Sequence, residues 1–214
     1  MTPIVILIGF STAGKSTFLH EIRKKYGNLI NCLDSDELIC KKANLNHIYS
    51  IFMSMGRESA ISYIEKQEVL LLEELSILSD KPMLLAAGPF LPLRSTWSNF
   101  SRKRNPFVIH LDLTAETVYD GLMHRRERQL KDPELDQLSE RFRSWDEHVT
   151  TQQVQGRYID FSKEDSVKNI RIHLARVTNI YQRIRSVMFT VEDLRKNGAE
   201  NKLIALIEQQ LKVK

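Results

Sequence analysis

The chain opens on an unbroken apolar run, Pro3-Ile4-Val5-Ile6-Leu7-Ile8, which stops at a glycine. A run this short, bounded by a turn residue, reads as a strand buried on both faces. The same signal recurs at Leu29–Leu33, Met83–Ala87 and Phe107–Leu113, with a shorter version at Arg157–Phe161. Between these segments apolar residues recur at spacings of three and four, which predicts helices over Lys15–Lys25, Ser35–Lys42, His47–Met55, Glu58–Leu78, Ala115–Arg128, Leu138–Gln153 and Glu164–Met188. Leu203, Ile204, Ile207 and Leu211 predict a last short helix. Strands alternating with helices give an α/β protein: a central parallel sheet of about five strands, helices on both faces, and a C-terminal helical extension. In such sheets ligands collect at the carboxyl ends of the strands, so the residues that follow each strand are the ones to search for chemistry.

After the first strand comes Gly9-Phe10-Ser11-Thr12-Ala13-Gly14-Lys15-Ser16, then Thr17. It fits G-x-x-x-x-G-K-S/T at every fixed position, and it stands between a strand and an amphipathic helix, the setting that makes this a phosphate-binding loop of a P-loop NTPase fold. Gly9 and Gly14 let the loop wrap an anion, and the helix beginning near Gly14 adds its positive end. The candidate nucleotide-binding residues are Gly9, Ser11, Thr12, Ala13, Gly14, Lys15, Ser16 and Thr17. Lys15 bridges the outer phosphates and is a candidate catalytic residue. The Ser16 hydroxyl ligates magnesium. ATP and Mg2+ are thus the expected cofactors. An ordinary glycine turn is the alternative, and the context on both sides counts against it.

The second strand ends in Leu33-Asp34-Ser35-Asp36. Two carboxylates one residue apart at a strand's carboxyl end can divide two tasks. Asp34 can hold magnesium through its water shell, and Asp36 can accept the proton of an attacking hydroxyl. The competing reading makes one of them a cap for the helix that begins Glu37-Leu38-Ile39.

Composition narrows the picture. The chain has 214 residues, 42% of them hydrophobic, enough for one domain of ordinary size plus an appendage. No apolar run approaches the roughly 20 residues of a membrane span, and the N-terminus lacks a basic leader, so a cytoplasmic protein is expected. Cys32 and Cys40 lack metal-ligand spacing and read as buried thiols. The net charge of +4 invites a nucleic-acid partner, but its location argues against one. Residues 162–214 carry 11 Lys/Arg and 6 Asp/Glu, while residues 1–161 are near neutral with 20 against 21.

With these residues in view, the sequence resembles the shikimate kinase family, small P-loop kinases that move the γ-phosphoryl of ATP to a hydroxyl. The resemblance covers roughly residues 3–175. It comprises GFSTAGKST, the D-x-D that follows, and IYSIFMSMGRESAISYIEKQE, which is similar to the family's substrate helix. VIHLDLTAETV looks like its fourth strand and following helix, ahead of an arginine-rich lid. It implies a kinase domain over 1–175 with a lid at about 123–139, and a helical extension over 176–214. Of the lid run His124-Arg125-Arg126-Glu127-Arg128, Arg126 and Arg128 stand nearest the family's lid arginine by spacing. They are the candidate catalytic arginines, with a salt-bridged helix end as the alternative. Lys131-Asp132-Pro133-Glu134 reads as a turn and makes a mobile lid plausible.

The departures concern the acceptor. Aligned from Glu65, the arginine that the resemblance assigns to the shikimate carboxylate falls on Ser62, and the second such arginine maps near Glu147 or His148. In place of the family's triple glycine stands Ala86-Ala87-Gly88-Pro89-Phe90. A buried carboxylate needs a paired cation, so shikimate is not the expected acceptor. Asp36, Gly88 and Arg94 are the candidate substrate residues. Trp97 and the later Trp145-Asp146 either face the same cleft or pack helices on the sheet.

Beyond the family-like part, Ile170, Leu174, Val177, Tyr181, Ile184, Met188 and Val191 form a heptad stripe. It predicts a helix that docks on the core, or pairs two copies, so the chain is a monomer or a homodimer through this helix. Three functions compete: a small-molecule kinase with an acceptor other than shikimate, a nucleotide or nucleotide-sugar kinase, and a non-catalytic nucleotide-binding regulator. Intact Lys15, Ser16, Asp34 and Asp36 count against the last.

Overall fold

The computed structural model describes residues 2–77, 80–129, 150–154, 157–196 and 199–213. Strand β1 (Ile4–Ile8) is buried at every position and lies at the centre of a sheet. β3 (Met83–Ala86), likewise buried throughout, pairs along one side of it, and β4 (Phe107–Asp112) along the other. β2 (Asn31–Asp34) extends the sheet beyond β3. All these pairings are parallel, and the order β2-β3-β1-β4 is completed beyond β4 by a fifth strand. Because successive side chains of a strand point to opposite faces, a strand buried at every position needs cover on both sides.

The fifth strand is a correction to the sequence reading. Arg157–Phe161 was expected there, but Arg157–Asp160 (β6) pairs antiparallel with Thr151–Val154 (β5) in a separate two-stranded ribbon. Ile159 is 47% exposed in it. The missing strand is Val187–Thr190 (β7), taken from within the heptad stripe. Its start is fixed by Ser186, whose backbone N–H donates to the Val108 carbonyl at 2.7 Å and whose hydroxyl accepts from the Val108 N–H at 3.0 Å. The spacing Ile184–Met188–Val191 suits a helix, but the backbone turns extended at Arg185 and the helix ends one residue earlier.

The described helices are α1 (Lys15–Tyr26), α2 (Ser35–Lys42), α3 (Ile48–Met55), α4 (Arg57–Leu75), α5 (Trp97–Arg104), α6 (Ala115–Gln129), α7 (Lys163–Ile184), α8 (Val191–Lys196) and α9 (Glu200–Leu211). α5 was not foreseen. Of the helix expected over Leu138–Gln153, residues 138–149 lie outside the described residues and Thr151–Gln153 belong to β5. α7 docks on the main core through Ile170, Val177 and Tyr181, and position 175, the expected domain boundary, falls inside it. α9 buries Leu203, Ile207 and Leu211 in the same core and packs against β1. A second, smaller cluster of Ile39, Cys40, Ile51, Phe52 and Ala60 ties α2, α3 and α4 together beside the β2 edge. Cys32 and Cys40 form no disulfide. Among the described residues no helix is long and apolar enough to cross a membrane.

Candidate active site

The carboxyl ends of β1, β2 and β3 open into a cleft of about 880 Å³, lined on one side by Ser11–Thr17 and on the other by residues of α6. The loop entering it depends on two glycines for different reasons. Gly14, the N-cap of α1, has φ +81°, a left-handed conformation that favours glycine. At Gly9 the reason is space: a Cβ there would lie 2.6 Å from the Leu111 carbonyl oxygen of β4. The N-cap of α1 is a glycine and supplies no side-chain cap to the first turn, the arrangement in which a helix start receives phosphate oxygens. The Lys15 ammonium, half-buried, donates to the carbonyls of Gly9 at 2.8 Å and Phe10 at 3.0 Å. It is thereby held at the loop it is expected to serve.

The two carboxylates after β2 are placed differently. Asp34 is buried. One oxygen accepts from the backbone N–H of Asp36 at 2.9 Å and of Glu37 at 3.4 Å, capping α2, and the other accepts from the Ser16 hydroxyl at 2.7 Å. Asp34, expected to hold magnesium, is thus the residue that caps α2, and the cap leaves its other oxygen turned to Ser16. Asp36, exposed in the first turn of α2, lines the cleft. Gly88 lies against it: a Cβ at Gly88 would sit 3.1 Å from an Asp36 oxygen, 3.2 Å from the Ser35 hydroxyl and 3.4 Å from a Glu68 oxygen. The Gly88 N–H donates to the fully buried Ser35 hydroxyl at 2.7 Å. The next residue is tied from the other side of the fold, where the buried Tyr181 hydroxyl donates to the Pro89 carbonyl at 2.6 Å. Tyr181 in turn meets the buried His110 ring edge-on, 4.9 Å between centroids. Burial lowers the His110 pKa to about 4, against the opposing pull of Asp112, 3.7 Å away.

Arg94 does not line the cleft. It reaches back to α4, where it pairs with Glu65 at 2.9 Å and with the buried Glu68 at 2.5 Å. Burial raises Glu68 to about 7, with Arg94 working in the opposite direction. Trp97 sits in the core against Phe100 rather than at the acceptor position. Of the lid arginines, Arg126 forks onto Asp160 of β6 at 3.1 and 3.3 Å. Arg128 is in α6, and its side chain is outside the described set. Arg125, which spacing passed over, lines the cleft and donates to the Ser11 hydroxyl at 3.0 Å. The lid beyond residue 129, Trp145-Asp146 and Glu147-His148 lie outside the described residues.

Sequence reasoning thus found the loop, Asp34, Asp36 and Gly88, which share one cleft, and missed Arg125, Ser35, Glu68 and Tyr181. Glu68 had a visible signal, three residues after Glu65 on one helix face, and Arg125 stood four after Gly121. Tyr181 had none, because its partner lies 92 residues away.

Comparison with known proteins bears on the fold and the family. The solved shikimate kinase from Bacteroides thetaiotaomicron is 15% identical and matches over 99% of each chain with a TM-score of 0.61. Shikimate kinase from Acinetobacter baumannii, solved in complex with shikimate, is 22% identical over 98% of this chain and 92% of that one, also with a TM-score of 0.61. The Aquifex aeolicus enzyme is 17% identical over 98% and 96%, with a TM-score of 0.52. At such identities the likeness establishes the fold. No curated protein sequence is significantly similar. The shikimate kinase family profile, however, matches residues 11–174, from the phosphate loop to the middle of α7. By that match, spanning most of its length, the chain belongs to the shikimate kinase family.

Proposed function

We propose that the chain is an ATP-dependent kinase that moves the terminal phosphoryl of ATP to a hydroxyl of a small molecule other than shikimate. The observation that carries this reading is the meeting of the phosphate loop, the Ser16–Asp34 pair and Asp36 in one cleft. These residues fit a nucleotide with magnesium. Ser16 and Asp34 offer two hard oxygen donors, 2.7 Å apart, at the foot of the loop. Magnesium takes such donors and needs only one or two carboxylates, because it keeps waters and phosphate oxygens as its other ligands. Lys15 and the uncapped start of α1 receive the phosphates. Bound magnesium supplies positive charge to neutralise the transferring phosphoryl group. Asp36, exposed to the cleft beside Gly88, takes the proton of the acceptor hydroxyl.

Rejection of shikimate rests on Ser62, which stands where the resemblance requires a guanidinium. The guanidinium that does reach α4, that of Arg94, is engaged by Glu65 and Glu68. Each charged hydrogen bond missing from a buried carboxylate costs on the order of 1.5–3 kcal/mol. ATP turnover across a panel of hydroxyl metabolites tests the reading. We expect turnover with a panel member, poor turnover with shikimate, and none in Lys15→Ala with an unchanged far-UV spectrum. Undiminished turnover in Lys15→Ala removes the kinase reading. Efficient phosphorylation of shikimate removes the acceptor assignment alone.

A further inference from the structure

We infer that Glu192 is a positioning residue for the nucleoside half of a bound nucleotide, acting through Thr117 on the wall of the cleft; the inference rests on the kinase reading above. With the phosphates at the loop, the nucleoside takes the rest of the cleft, whose other wall is α6, lined there by Thr117, Asp120 and His124. Thr117 stands in the first turn of that helix. The residue that fixes it comes from outside the family-like part of the chain. Glu192 belongs to α8 and lies beyond residue 174, where the match to the family profile ends.

One Glu192 oxygen takes three donors from the start of α6: the Thr117 hydroxyl, the Thr114 hydroxyl at 3.3 Å and the Thr114 N–H at 3.4 Å. The Thr114 hydroxyl also accepts from the Thr117 N–H at 3.2 Å, as a helix cap does. A threonine side chain is stiff at χ1, so a bond that holds its hydroxyl also decides where its methyl points. Glu192 therefore sets the shape that α6 presents to the cleft at Thr117. Its own place is set by the sheet. The register pairs Asp112 of β4 with Thr190 of β7, and two residues further along each chain Thr114 and Glu192 meet at the carboxyl end of the sheet. The buried Val191 and Leu194 anchor α8 on either side of Glu192. The Thr190 hydroxyl accepts from the Asp193 N–H at 3.4 Å and holds the turn between β7 and α8. The last strand of the sheet thus delivers a carboxylate to the wall of the cleft that faces the phosphate loop.

The test needs no acceptor. Titration calorimetry with magnesium compares ADP with pyrophosphate, which has the phosphates and no nucleoside, on the wild-type chain and on Glu192→Ala. We expect Glu192→Ala to weaken ADP about three- to tenfold, the worth of one hydrogen bond, while pyrophosphate binds within about twofold of wild type. Glu192→Gln, which keeps an acceptor oxygen, should lose less. Preserved pyrophosphate affinity also reports an intact loop, which a general loosening of the fold would not leave. If Glu192→Ala does not fold, Glu192→Met, of similar length and without an acceptor oxygen, is read in the same way. Equal losses for both ligands, or no loss for ADP, overturns the inference and leaves the kinase reading standing. A wild-type chain that does not bind ADP removes the kinase reading together with it.

Discussion

At the scale of single residues, Asp34 and Asp36 share a turn and a charge but are placed differently. Asp34 is spent on the α2 cap and on Ser16, while Asp36 faces the cleft beside Gly88. Their amide variants should fail differently. Asn is itself a good N-cap, so Asp34→Asn keeps α2 and loses charge at the proposed magnesium position. Its activity should need more magnesium and be partly restored by excess. Asp36→Asn cannot take a proton, and should lose roughly 10²–10⁴-fold at any magnesium concentration. Magnesium titration of turnover in both variants checks this, and rescue of Asp36→Asn alone would reverse the roles. The pair was legible in the sequence because both residues and their strand lie within a few positions of one another. Arg125 was not: choosing among Arg125, Arg126 and Arg128 requires the phase of α6 against a loop more than a hundred residues earlier, which shows in the Gly121–Thr12 approach.

At the scale of elements, the loop after β3, proposed to face the acceptor, is a short span tied at two points to distant parts of the fold. Ser35 of α2 holds Gly88 and Tyr181 of α7 holds Pro89. Removing the second tie without disturbing packing is the purpose of Tyr181→Phe, which keeps the ring against His110. A neutral hydrogen bond contributes about 0.5–1.5 kcal/mol, so we expect KM for the acceptor found by the panel to rise about two- to tenfold. KM for ATP should stay unchanged, since Tyr181 touches nothing on the loop side of the cleft among its described contacts. Steady-state kinetics with each substrate varied in turn check this, and an equal change in both would mark a general loosening of the core. The elements themselves were legible where burial is two-sided, as in β1, β3 and β4. They were misread where a short strand follows a helix: Val187–Thr190 continues the i, i+4 spacing of α7, and pairing with β4, begun where Ser186 bonds to Val108, turns it into sheet.

At the scale of the whole molecule, two buried groups far apart in the chain act on stability with opposite signs. Burial keeps Glu68 protonated up to about 7 from an ordinary 4.5. Between those values the folded chain holds a proton that the unfolded chain has released, so stability falls as pH rises. Burial keeps His110 neutral down to about 4 from an ordinary 6.5. There the unfolded chain binds the proton that the folded chain refuses, so stability falls as pH drops. Between 4.5 and 6.5 the two slopes oppose. Glu68→Gln should leave the His110 slope, with Tm climbing across that interval, and His110→Phe should leave the Glu68 slope, with Tm descending. Thermal melts of the three proteins at intervals across this range check the signs, and equal slopes in all three would exclude both groups as the cause. The strand order has a consequence of another kind, in time. Until Val187–Thr190 has been synthesised, β4 has no outer neighbour, and until Leu203, Ile207 and Leu211 follow, β1 lacks the cover of α9. A chain emerging from the ribosome therefore carries its phosphate loop long before it can close the sheet beneath it, and meanwhile shows an open, apolar strand edge to its neighbours.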